Sequence, residues 1–231
     1  DSTSSFPAEV MTLPDVGYMR ALSPEGVLSV NPDLIVAEEG SGPPPVIDLL
    51  NAASVSFVTV PDRFSSQGII DKVLAVGWAL GVESKAQALA KSLTVELAAA
   101  EAAANANDGP RKKVLFVLST RGGRILASGT NTAADGMIRM AGAVNAISEF
   151  EGYKPLSDEA VIASAPDIIL VMDRGGDHST AADELFAMPA VATTPAAQNR
   201  AIIRMNGLYL LGFGPRTGKA ILQLNKALYK G

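Results

Sequence analysis

An internal repeat constrains this chain more than any other feature. Residues 22–35 read LSPEGVLSVNPDLI and residues 156–169 read LSDEAVIASAPDII. Seven of these fourteen positions are identical at a constant offset of 134: Leu22/Leu156, Ser23/Ser157, Glu25/Glu159, Val27/Val161, Pro32/Pro166, Asp33/Asp167 and Ile35/Ile169. Upstream, Gly17-Tyr18-Met19-Arg20 matches Gly152-Tyr153-Lys154 after a shift of one residue. Each copy reads as a Gly-Tyr-basic turn, a helix opened by a Ser N-cap and an early acid, a Pro-Asp turn and a buried strand. Two copies make a duplication, whereas a solenoid needs three or more.

The rest of the chain alternates short β-branched runs with helical patterns, the mark of α/β layers. Strands are expected at 33–37, 55–60, 113–118, 167–172 and 201–205. A further short strand at 208–211 would follow a hairpin at Asn206-Gly207. Between the copies, Ser84-Lys85-Ala86-Gln87 fits a capping box. From it the stripe Leu89, Leu93, Leu97, Ala100, Ala104 keeps helical spacing until the breaker cluster Asn107-Asp108-Gly109-Pro110. A helix of that length, roughly 33 Å at 1.5 Å per residue, is long for a crossover in a small sheet. It would either bridge two lobes or lie on the surface of one domain, and the flanking repeats favour the bridge. The expected organisation is an N-terminal lobe at 1–83, a linking helix at 84–107 and a C-terminal lobe at 108–231.

Composition narrows the chemistry. A net charge of -5 and a pI near 5.0 leave no basic surface for nucleic acid. No stretch has the eighteen or so apolar residues of a membrane span. Without cysteine there is no disulfide, thiolate ligand or thiol nucleophile. The one histidine, His178 in RGGDHSTAADE, reads as a polar loop residue. A Ser-His-Asp or zinc centre needs imidazole beside other specific groups. Gly122-Gly123 with Arg121 and Arg124 follows a strand, yet meets neither G-x-G-x-x-G nor a P-loop pattern. An enzyme is therefore not expected. The opening DSTSSFP lacks a charged n-region and an apolar h-region.

Two facing α/β lobes make a cleft suited to a small ligand. By the repeat, 17–20 and 152–154 would border it, each offering a tyrosine and a cation. A neighbouring cation favours a phenolate, a hard anionic ligand for ferric iron and a known axial ligand of haem. On spacing alone, Tyr18 and Tyr153 read first as amphipathic packing residues.

The runs LPDVGYMRALSPEGVLSVNPDLIVAEEGSGPP, GTNTAADGMIRMAGAVNA, FEGYKPLSDEA, APDIILVMDRG and LLGFGPRTG resemble the haem substrate-binding proteins of bacterial ABC importers over nearly the whole chain. The wider superfamily also carries cobalamin, siderophores and metals on the same two lobes and linking helix, a helical-backbone periplasmic binding protein fold. The resemblance implies haem as cargo, a periplasmic or extracytoplasmic location and a membrane ABC permease as partner. It implies Tyr18 as axial ligand of the haem iron, Arg20 as its stabiliser and Arg174 as a cation near haem. Tyr153 and Lys154 follow by symmetry, and Arg216 either joins them or opens the last helix. Permease docking would use Glu159 on the second lobe, with Glu38, Glu39 and Glu25 competing on the first. The alternative cargo is cobalamin or an iron-siderophore. Relatives normally begin with a further strand-helix unit, so the first lobe is expected to be truncated. Self-association through that lobe and weakened haem binding would follow.

Overall fold

The computed structural model describes residues 1–173 and 182–229. The chain divides into two compact units. Unit 1 takes residues 1–63 and 67–92, and unit 2 takes residues 64–66 and 93–231.

Unit 1 runs through α1 (Pro24–Leu28), β1 (Leu34–Glu38), α2 (Pro44–Ala52), β2 (Ser56–Val60) and most of α3 (Ser66–Ala79). β1 and β2 pair in parallel, from Leu34 opposite Ser56 to Glu38 opposite Val60. A parallel pair needs a crossover, and α2 supplies it. Leu50, Val60 and Ile69 are buried and form the apolar centre.

The long helix α4 (Glu83–Asn105) is continuous, and the division between the units falls within it. It starts one residue before Ser84, which therefore lies inside the first turn and is not its N-cap. The entry is set instead by Val82, whose carbonyl accepts from the N–H groups of Lys85 and Ala86. The buried stripe is Ala86, Ala90, Leu93, Leu97, Ala100 and Ala104, whereas Leu89 is 40% exposed. Small residues carry that seam as well as leucines, which the hydrophobic spacing alone does not show.

Unit 2 is larger. Its strands are β3 (Lys113–Ser119), β4 (Leu126–Ser128), β5 (Val144–Asn145), β6 (Tyr153–Pro155), β7 (Ile168–Asp173) and β8 (Ile202–Asn206). They form one sheet in the order β6-β4-β3-β7-β8, with β5 also on β3. β3, β7 and β8 are parallel; β4 runs antiparallel beside β3, and β6 reverses again beside β4. Val114 to Val117 and Ile168 to Val171 are continuously buried, as expected for parallel strands covered on both faces. The helices are α5 (Ala133–Met140), α6 (Asp158–Ser164), α7 (Ala182–Ala187), α8 (Pro189–Ala192), α9 (Pro195–Gln198), α10 (Gly207–Leu211) and α11 (Thr217–Tyr229).

Asn206-Gly207 is not a hairpin. Asn206 ends β8 and its side-chain oxygen accepts from the Tyr209 N–H at 3.0 Å, capping α10. Asn serves a helix start as readily as a tight turn. Burying Leu210 completely on a helix decides between them.

The repeat holds residue by residue inside the two units. Ser23 Oγ accepts from the Gly26 N–H at 3.0 Å, and Ser157 Oγ from the Ala160 N–H at 3.2 Å. After each helix a non-glycine residue turns left-handed, Asn31 at φ 49° and Ala165 at φ 40°. β1 then begins at Leu34 and β7 at Ile168, again 134 apart. Gly17 and Gly152 precede the two tyrosines at φ 103° and 79°, a conformation that costs other residues steric energy. Each Ser→Ala cap change is expected to cost about 1 kcal/mol. A urea denaturation midpoint unmoved by Ser157→Ala would show that the hydroxyl does not hold the α6 start.

Candidate functional site

In unit 1 the tyrosine lies on a closed turn. The Tyr18 carbonyl accepts from the Ala21 N–H at 2.8 Å, with Met19 and Arg20 at the corner. Gly42 grips this turn from both sides: its N–H donates to the Met19 carbonyl and its carbonyl accepts from the Leu22 N–H, each at 2.9 Å. Asp15 steadies the approach by accepting from the Gly17 N–H at 2.9 Å. The side chain of Tyr18 is 44% exposed, and Arg20 is exposed. A large aromatic left this open on a fixed turn is not a core residue, which weakens the packing reading for Tyr18.

Gly42 follows the carboxyl end of β1, where parallel α/β sheets place their ligands. That end carries two acids. Glu38 meets the Lys72 ammonium of α3 at 2.5 Å, and Asp62 meets the same group at 2.8 Å. The Lys72 side chain is only 12% exposed. Glu39 pairs with Arg63, and both are open to solvent, so this pair contributes little. Lys72 was not anticipated as part of this site. Nothing in the run IIDKVLAVGWAL marks it, because its partners lie in other elements.

Burial pulls the Lys72 pKa down, but hydrogen bonds and charges from Asp62 and Glu38 more than offset it, so it rises above the ordinary 10.5. The stability this lysine contributes is then fully present below its unfolded value and lost as pH climbs through the raised folded value. Relative to a chain with Lys72→Met, Glu38→Gln and Asp62→Asn, that contribution should stay constant between about pH 7 and 9 and fall only at stronger alkalinity. Urea denaturation of both chains across that range checks it, and an earlier fall would contradict the pairing.

Unit 2 holds the other residues. Tyr153 opens β6 opposite Ser128, half-buried, with its ring 6.3 Å from Phe116 in an edge-on contact. It is a packing residue in part, unlike Tyr18. Lys154 is exposed, its ammonium 5.2 Å from the centre of the Phe150 ring. Arg216 lies just before α11 with its guanidinium 5.3 Å from the centre of the Tyr209 ring. Burial raises the Tyr209 pKa; Arg216 opposes this and Glu96 adds to it. Arg174 and His178 lie outside the described residues.

Glu159 is fully exposed in the first turn of α6. Its carboxylate accepts from its own N–H and from the Ser157 hydroxyl, which lowers its pKa. Glu25 is the exposed repeat equivalent in α1. Glu38 and Glu39, by contrast, are engaged within unit 1 by Lys72 and Arg63.

A cavity of about 370 Å³ in unit 2 is lined by Thr120, Gly123, Asp158, Glu184, Met188 and Ala190, among others. None of the described tyrosines or cations singled out above lines it. Among the described residues no cluster of three His, Cys, Asp or Glu side chains could hold a bare metal ion. No described helix is long and apolar enough to cross a membrane.

Comparison with known proteins is consistent across the chain. The sequence profile described as "Periplasmic binding protein" matches residues 1–207. The structure is similar to that of the periplasmic heme-binding protein BhuT in complex with two hemes, at 39% identity and a TM-score of 0.93 over 99% of this chain and 86% of that one. It is equally similar to the apo form of periplasmic heme-binding protein RhuT from Roseiflexus sp. RS-1, at 39% identity and a TM-score of 0.93 over 100% of this chain and 88% of that one. The ABC transporter substrate-binding lipoprotein YvrC of Bacillus subtilis (strain 168) is 29% identical over 174 residues, 74% of this chain; the match spans 55% of YvrC, about half its length. With two α/β units that repeat one turn-helix-strand motif, and a profile match over most of its length, the chain belongs to the periplasmic binding protein family.

Proposed function

We propose that this protein binds haem as transported cargo, with the Tyr18 phenolate on the ferric iron, and hands it to an ABC-type permease without chemistry on the ligand. The observation that carries this reading is Tyr18 itself: an exposed phenol on a turn gripped by Gly42, with an arginine two residues on. Ferric iron favours a hard anionic oxygen, and a nearby guanidinium favours the anion. Arg20, exposed at the same turn, is the cation assigned to that role by resemblance. The likeness to proteins named for haem binding supplies the cargo. Lys154 and Arg216 in unit 2 are cations suited to the propionates, and Arg174 belongs to the same proposal by resemblance. Tyr153 is a flanking aromatic.

For docking on the permease we propose Glu159 and its repeat equivalent Glu25. Both are exposed first-turn acids. Glu38 and Glu39 suit the role less, since each already has a cationic partner in unit 1. A periplasmic or otherwise extracytoplasmic location follows from that role.

Titration with hemin tests the cargo. The expected result is a saturable Soret change with the features of high-spin ferric haem on a phenolate. Cobalamin is titrated in parallel, and saturable binding of cobalamin with none of hemin would overturn the reading.

A further inference from the structure

The turn that carries Tyr18 and Arg20 has few anchors of its own. It contains no strand or helix, and its backbone is tied to the rest of unit 1 mainly through Gly42. What holds Gly42 is therefore what positions the ligand. Gly42 stands four residues after Glu38, the last residue of β1. Between them the chain folds back: the Ser41 N–H donates to the Glu38 carbonyl at 3.1 Å, and Gly40 adopts φ 80°. The Glu39 N–H donates to the Val60 carbonyl at 2.9 Å, so this reversal is also seated on the end of β2. A short closed loop of this kind moves as one piece with the residue at its base.

Glu38 is that base, and its carboxylate is fastened. The largely buried Lys72 ammonium bridges Glu38 Oε1 at 2.5 Å and Asp62 Oδ1 at 2.8 Å. One cation thus ties α3, the end of β1 and the segment after β2 together. A single ammonium satisfied by two carboxylates on different elements fixes both. This arrangement is not needed to bury apolar surface, for Leu50, Val60 and Ile69 already do that.

We propose that Lys72, with Glu38 and Asp62, is an ion lock that positions the Tyr18–Arg20 turn for its ligand, acting through the Glu38–Gly42 loop. Lys72 is a positioning residue and touches no cargo. The proposal rests on the reading of Tyr18 as the iron ligand.

The test uses the full chain and hemin. Lys72→Met alone strands two partly buried carboxylates and risks unfolding unit 1. The deciding variant is therefore the triple change Lys72→Met, Glu38→Gln and Asp62→Asn, which removes the lock without leaving an unpaired charge. Its far-UV circular dichroism should match that of the unaltered chain. Its hemin affinity should fall by about ten- to hundredfold, the usual effect of losing an outer support of a metal ligand. Its ferric-phenolate features should weaken in step. A merely structural role would lower the denaturation midpoint and leave the spectrum of the bound form unchanged. Wild-type affinity with an unaltered phenolate spectrum in the triple variant would overturn the proposal. A measurement on the unaltered chain stands beside it: the Leu22 and Gly42 amides should be protected from hydrogen exchange to the same degree as those of β1. Free exchange there with β1 still protected would overturn it too, whatever the variants do. Failure of the Tyr18 reading is recognised separately, because Tyr18→Phe would then leave the hemin spectrum of the otherwise unaltered chain as it was.

Discussion

Tyr18→Phe is expected to abolish the ferric-phenolate spectrum and to weaken hemin binding by at least the roughly ten- to hundredfold that outer-support changes cost a metal site. The change removes one oxygen and keeps the ring. Tyr18 is 44% exposed, so the fold has little stake in its hydroxyl. The turn beneath it is made by backbone groups of Tyr18, Ala21, Met19, Leu22 and Gly42, all of which survive the substitution. Loss of affinity with an unchanged denaturation midpoint thus reports on ligation. Arg20→Ala should act more gently and differently. The phenol keeps its oxygen and its turn, so hemin affinity should fall while the ferric-phenolate spectrum persists. A Tyr18→Phe chain that kept the parent Soret band and affinity would show that iron is held elsewhere.

How much of this was legible in the chain depends on how local each signal is. The Ser caps, the Pro-Asp turns and the glycine before each tyrosine act within four residues, so the 134-residue offset survives translation into structure with its caps and left-handed turns in place. The strand ends were legible to within a residue for the same reason, since buried β-branched runs are bounded by polar residues. Asn206-Gly207 was misleading because its local preference is shared by two outcomes, and only the burial of Leu210 separates them. The short strands β4, β5 and β6 were illegible: two or three residues show no period, and they exist because β3 offers an edge to β4 and β5 and β4 offers one to β6. The turn that carries Tyr18 was legible from its Gly-Tyr-basic motif. Its support by Lys72 was not, because Glu38, Asp62 and Lys72 meet only through the register of β1 on β2 and the packing of α3.

In unit 2 the largest stability loss is expected from Asn225→Leu on α11. The Asn225 amide is buried and donates to two carbonyls, Ala104 at the end of α4 at 3.1 Å and Ala141 after α5 at 3.0 Å. Helix ends leave such carbonyls without intrahelical partners. Leu matches the size of Asn but supplies no donor, and each buried carbonyl left unsatisfied costs about 1–3 kcal/mol. Ala104 keeps a second donor, Asn107, which softens one of the two losses. The net expectation is about 2–3 kcal/mol, or a fall of roughly 5–10 °C in Tm for a unit of this size. Thermal circular dichroism checks it, with hydrogen exchange in β3 and β7 showing that unit 2 is the part affected. Gly142→Ala strikes the same junction from the other side. Its φ is 82°, and an added Cβ would stand 2.4 Å from the Ala104 carbonyl oxygen, which must then shift within its bond from Asn225. Both substitutions therefore act on one shared hydrogen bond. The double variant should lose less than the sum of the single losses, by about 0.5–3 kcal/mol. Strict additivity would mean that Ala104 does not link the two residues.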